Sequence, residues 1–159
     1  MKIFGWLYAF FCSLTGVYYG FYTGIFNTLF HSVLSKDYQL DPKDILPFAG
    51  DINAALATGL TLSTLFAGKF VFSQGRWRVL LFADFLALVL YFLIYINRSV
   101  YVMIVLRCLQ GCIIGISKVA SYSILTEIIP KQERGKATSF FMLNYALGVM
   151  IALQTGRVD

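Results

Sequence analysis

The chain has 159 residues, of which 58% are hydrophobic, 17% aromatic and only 13% charged. A soluble globular domain carries about 25% charged residues, so a water-soluble fold is excluded and a lipid-embedded one is expected. The formal charge of +5 then matters through where the basic residues sit along the chain, and no nucleic-acid partner is expected.

From the N-terminus, Met1-Lys2 leads into an apolar run that continues to Leu34. A signal-peptide core has roughly 7–15 apolar residues and a small-residue cleavage site, so this run reads as a retained first helix near 9–33. Its small and polar residues Ser13, Gly16, Gly20, Thr23, Asn27 and His31 recur at spacings of three and four, which places them on one helix face. In lipid such a face packs against another helix, because small residues allow close approach. Thr23 and Asn27 are also candidates for lining a polar pathway, whereas His31 lies near the end of the span, at the interface.

A polar loop follows from Ser35 to Asp51, with Asp37, Asp41, Asp44 and Asp51 set against Lys36 and Lys43. Further apolar runs predict helices near 52–72, 79–96, 100–125 and 137–155. Each has about the 20 residues that a bilayer core requires. The connections are short: Ser73 to Arg78, Asn97 to Ser99 and Pro130 to Lys136. Helices are expected because lipid offers no partner for backbone polar groups, and the runs are too uniformly apolar for barrel strands. The predicted architecture is a single all-α transmembrane domain over 1–159, a polytopic bundle of about five helices. Asn97-Arg98-Ser99 fits the glycosylation pattern, but a glycan has no room so close to the membrane and the match is read as chance.

The fourth helix carries the strongest functional signal. Arg107, Gln110, Gly111, Gly115, Lys118, Ser121 and Tyr122 fall on one side at helical spacing. A cation at mid-membrane costs at least a few kcal/mol on insertion scales. Arg107 must therefore look into a protein interior or a wet cavity, while Lys118 has a second option in snorkelling to the interface. Asp84, the carboxylate well inside the third helix, is a candidate partner of Arg107 or of Lys118. Cys12, Cys108 and Cys112 all lie in apolar runs. Without a His or carboxylate at ligand spacing they read as packing residues, and no metal or cofactor is expected. No nucleophile, base and orienting group occur together, so an enzyme is not expected.

Lys2, Lys69, Arg76, Arg78, Lys131, Arg134 and Lys136 fall on one side of the predicted topology, and Lys36, Lys43, Arg98 and Arg157 on the other. The positive-inside rule then puts the N-terminus and the connections at 73–78 and 130–136 on the cytoplasmic side, or the matrix side in an organelle.

The run Gly68-Lys-Phe-Val-Phe-Ser-Gln-Gly75-Arg76-Trp-Arg78 resembles the loop between helices two and three of the major facilitator superfamily, with Phe72 and Ser73 in place of its acidic or amide residue and its basic residue. Gly16-Val-Tyr-Tyr-Gly20-Phe-Tyr-Thr23-Gly24 is similar to the first helix of the sugar porters of that family. Arg107, Gly111 and Gly115 resemble their fourth helix, and Glu127-Ile-Ile-Pro130 with Arg134-Gly135 their next cytoplasmic loop. The resemblance covers nearly the whole chain and implies the first part of a solute carrier. It implies a substrate pathway to which Gly20, Thr23, Asn27, Arg107, Gln110, Lys118 and Asn144 contribute. It also implies a cytoplasmic latch in which Arg76, and Arg78 with it, pair with Glu127 and Arg134 between the glycines Gly75 and Gly135.

The proton-coupled members carry an aspartate where this chain has Tyr22, so facilitative transport of a small polar solute is implied. The sugar-contacting glutamine of the family falls at Met142, two positions before Asn144. Carriers of this family place their pathway between two bundles. Five helices are therefore expected to need a remainder, as more of the same product or as another membrane chain. The alternative is a non-transporting accessory subunit of a larger membrane complex, for example a respiratory one, derived from a transporter.

Overall fold

The computed structural model describes residues 6, 10, 12–24 and 42–155. Every described element is helical. Helix α1 covers 12–24, α2 Pro42–Gln74, α3 Arg76–Ile96 and α4 Val100–Ile128. A 3-10 turn at Lys131–Glu133 then leads into α5, Arg134–Thr155.

Three connections differ from the sequence reading, the one expected at 130–136 because α5 already begins at Arg134. Helix α2 begins ten residues earlier than 52, so the polar stretch from Pro42 to Asp51 is helical. Proline at the first helical position is compatible with this start, because its missing N–H would have no intrahelical partner there. Between α2 and α3 the six-residue loop expected at 73–78 shrinks to Gly75 alone, with φ 89° and ψ 125°. That positive φ is open to glycine and strained for other L-residues. Helix α3 restarts at once, its first bond running from the Val79 N–H to the Gly75 carbonyl at 3.1 Å.

The Asn97–Ser99 connection stays where the sequence puts it, and side-chain hydrogen bonds close it. The Asn97 Oδ1 accepts from the Ser99 N–H at 3.1 Å, and its Nδ2 donates to the Ser99 carbonyl at 2.7 Å. The Ser99 carbonyl also accepts the Met103 N–H, which starts α4.

The chain divides into two compact units. One holds α1, the end of α4 from Ser121, the 131–133 turn and α5; the other holds α2, α3 and α4 as far as Ala120. In the first unit α1 and α5 run parallel, with Gly16 against Phe141 and Tyr145, Gly20 against Tyr145 and Val149, and Gly24 against Val149 and Ala152. Gly148 returns the contact against Val17 and Phe21. In the second unit α2 and α4 run parallel in the same manner, Gly59 meeting Cys108 and Cys112, and Gly111 meeting Leu56 and Leu60. Glycines let backbones touch, which in lipid replaces the hydrophobic drive that water would supply.

Large apolar side chains face outwards along α3, among them Leu81, Phe82, Phe85, Leu88 and Phe92, all more than half exposed. In water such a surface would aggregate; in a bilayer it is solvated by acyl chains. The described residues include four helices long and apolar enough to cross a membrane, Pro47–Gln74, Arg76–Ile96, Val100–Ile128 and Lys131–Thr155. The chain is an integral, multi-pass membrane protein with an all-α transmembrane fold.

Candidate functional site

Helix α4 carries the buried polar groups of the second unit. Arg107 and Gln110 are 2% and 1% exposed, and the Arg107 Nη1 donates to the Gln110 Oε1 at 3.2 Å. The two residues stand one turn apart on one helix, so their pairing follows from spacing alone. A guanidinium out of water is stabilised by such a dipole, and the amide is oriented by the charge in return. Gly111 and Gly115 belong to the same stripe, but α2 occupies their open side. The polar and the packing residues of that face are therefore interleaved.

Asp84 is half-buried on α3 and accepts from the Ser117 Oγ at 3.2 Å. The sequence offered Arg107 or Lys118 as its partner; Ser117, which makes this contact, is the residue just before Lys118. Lys118 itself is half-buried.

In the first unit, Asn144 on α5 is 7% exposed and its Nδ2 donates to the Ser13 Oγ at 2.8 Å. Ser13, fully buried, passes its own proton donation to the Phe10 carbonyl at 2.7 Å. Met142, where the family resemblance puts the sugar-contacting glutamine, is instead 48% exposed. The inward polar position of α5 is Asn144.

The remaining pathway candidates fare differently. Gly20 presses on the backbone of α5 at Tyr145 and Val149, so helix packing accounts for it. The Thr23 hydroxyl folds back on its own helix, donating to the Tyr19 carbonyl at 2.8 Å. Asn27 and His31 lie outside the described residues. Among the described residues, the hydroxyls of Ser121 and Tyr122 are buried without a hydrogen-bond partner, the Tyr122 ring lying 5.0 Å from that of Phe141.

The latch candidates sit at the helix ends. The Arg76 guanidinium lies 4.7 Å from the centroid of the Phe72 ring. Phe72 stands where the resemblance puts an acid or amide, and the face of its ring lies against the cation. Arg78 is exposed. Glu127 is exposed, Arg134 is half-buried with its Nε donating to the Ile129 carbonyl at 3.4 Å, and Gly135 has open space around it. The sequence reading missed Glu133, whose Oε2 accepts from the Trp6 Nε1 at 3.1 Å. No periodicity pointed to that contact, since it joins residues far apart in the chain. Ser13 was on the polar stripe of the first helix, but its partner was not legible.

Comparison with known proteins matches these features to one family. The sequence model of the Major Facilitator Superfamily matches residues 3–156. The chain is 30% identical over 125 residues to "Sugar transporter ERD6-like 15" of Arabidopsis thaliana, an alignment covering 79% of this chain and 25% of that protein. It is 29% identical over 143 residues to "Plastidic glucose transporter 4" of the same plant, covering 90% of this chain and 26% of the relative. It is 28% identical over 147 residues to "Putative metabolite transport protein YwtG" of Bacillus subtilis (strain 168), covering 92% and 31%. The chain thus spans between a quarter and a third of the length of these relatives. No solved structure gives a significant match. With its glycine-packed parallel helix pairs, its basic α2–α3 turn and the buried arginine of α4, the chain belongs to the Major Facilitator Superfamily.

Proposed function

We propose that this chain is the front portion of a facilitative carrier for a small polar solute, of the sugar or metabolite kind that its relatives' names specify. The observation that carries the reading is the Arg107–Gln110 pair. A cation and an amide, both nearly fully buried within a membrane-spanning helix, are costly in lipid and persist where a polar function needs them. Lys118, Asn144, Thr23 and Asn27 complete the polar lining in this reading, with Gly20 setting the helix spacing. Arg76, Arg78, Glu127 and Arg134 act as the latch of the cycle on the cytoplasmic side, where the N-terminus also lies. Gly75 and Gly135 give that latch its turns.

Tyr22 in place of an acid argues for facilitation, since the helix then has no group there to take up a proton. Alternating access needs two bundles around the site, so further helices, from the same product or another chain, supply the rest of the pathway.

The test is uptake of labelled hexose into vesicles of the native membrane, with and without a protonophore, for the wild type and for Arg107→Lys. Saturable uptake that ignores the protonophore and falls at least about tenfold in the variant supports the reading, because lysine lacks the planar fork that arginine offers an amide or a hydroxyl pair. Uptake that collapses with the proton gradient overturns the facilitative mode. A chain without uptake, purifying at constant ratio with a large complex, is an accessory subunit.

A further inference from the structure

Besides the latch arginines Arg76 and Arg78, the turn between α2 and α3 carries an exposed lysine and an exposed tryptophan that the latch does not use. Lys69 and Arg78 are exposed, Arg76 is half-buried over Phe72, and Trp77 between the two arginines is 46% exposed. From Asp51 to Asp84 the sequence has no carboxylate between them, so this end of the helix pair presents only positive charge. Gly75 makes the turn in a single residue, which keeps the cations of both helix ends close to it.

The depth of the turn follows from α3. Its exposed aromatics Trp77 and Tyr95 stand eighteen residues apart, about 27 Å along a helix that rises ~1.5 Å per residue. That is close to the ~30 Å of a bilayer's hydrocarbon core. Tryptophan and tyrosine collect at the two membrane interfaces. Trp77 and Tyr95 thus mark the two surfaces, and the outward side chains between them, such as Phe82, Phe85 and Phe92, belong to the acyl region. Arg76 and Arg78 then lie at headgroup level. Lys69, five residues before the end of α2, reaches the same layer by snorkelling along its four-carbon stem. At the other end of α3 the connection offers Arg98 alone.

We propose that the α2–α3 turn is a docking site for the headgroups of anionic phospholipids, with Lys69, Arg76 and Arg78 facing the phosphate and Trp77 anchoring at the glycerol level. Charge complementarity selects this occupant. Each basic residue near an anionic leaflet is worth about fivefold in affinity, and the exposed tryptophan favours the same depth. A phospholipid also brings acyl chains to the apolar surface directly beneath.

The test uses the full chain in nanodiscs. Its two tryptophans are Trp6 and Trp77, so W6F leaves Trp77 as the reporter. Its fluorescence is quenched with brominated phosphatidylglycerol or, at the same low mole fraction, with brominated phosphatidylcholine in a phosphatidylcholine background. Stronger quenching by the anionic lipid is expected, with the preference falling about fivefold for each cation removed in K69Q and R78Q and staying unchanged in R98Q. Equal quenching by the two lipids overturns the proposal, as does a preference that is undiminished in the K69Q/R78Q chain or disappears in R98Q. A salt titration needs no change to the turn and guards against a variant that fails to fold. An electrostatic preference disappears by ~1 M salt, where screening acts within about 3 Å, and one that persists there sinks the site.

Discussion

The amide of Asn144 on α5 donates to the hydroxyl of Ser13 on α1 at 2.8 Å, and that hydroxyl in turn donates to the Phe10 carbonyl at 2.7 Å. Along the same seam the ring centroids of Phe10 and Phe140 are 6.3 Å apart, and Gly16, Gly20 and Gly24 follow against α5. One polar contact thus fixes the register of a helix pair that is otherwise held by close backbone packing. In lipid, where apolar side chains gain little by leaving the solvent, such a contact discriminates between registers better than apolar surface does.

That pair predicts a coupled energetic response. Ser13→Ala and Asn144→Ala each remove the interhelical bond, so the double variant should lose little more stability than either single one. The coupling energy expected for a hydrogen bond between membrane helices is about 0.6–1.7 kcal/mol. Reversible unfolding in mixed micelles of the four chains measures it, and strictly additive losses would show that the bond carries no stability.

The glycines divide by what surrounds them. A side chain at Gly20 meets the Tyr145 backbone, whereas one at Gly68 meets open space. Gly20→Leu should therefore force α1 off α5 and leave little monodisperse protein, while Gly68→Ala should be neutral or stabilising by up to about 1 kcal/mol, the helix-propensity difference. Gly75 differs again, with space around it but a φ of 89°. Gly75→Ala should cost about 1–2 kcal/mol through backbone strain alone. Thermal melts in detergent followed by size exclusion rank the three, and an order with Gly68→Ala worst contradicts this packing.

In the proposed carrier, charge at the end of α4 should control the cycle. With Glu127 acting in the latch, Glu127→Lys adds a cation to a side of the membrane already rich in them and weakens the closed state. The variant should expose the cytoplasmic side, raising the labelling rate of a cysteine placed at Ser123 by a cytoplasmic maleimide several-fold. Unchanged labelling removes Glu127 from that role. Such exposed pairs contribute about 1 kcal/mol or less apiece, so the effect is a shift in occupancy and not an all-or-none switch.

The amino-acid sequence by itself determined the solvent and most of the topology. Apolar runs of bilayer length separated by short polar connections admit a helical bundle, and the buried place of Arg107 was legible because a mid-span arginine must avoid lipid. The Arg107–Gln110 bond was implicit in a spacing of three along one helix. The one-residue turn at Gly75, the early start of α2 at Pro42, and the division between Gly20 as packing residue and Asn144 as inward polar residue needed the tertiary structure. So did the partners that join distant segments: Ser13 with Asn144, Ser117 with Asp84, Trp6 with Glu133. The reason is physical. Hydrophobic periodicity reports which face of a helix avoids lipid or water, because transfer energies add along the chain. Which helix covers that face, and at what register, depends on backbone approach and single hydrogen bonds between residues far apart in sequence, and only the packed helices decide it.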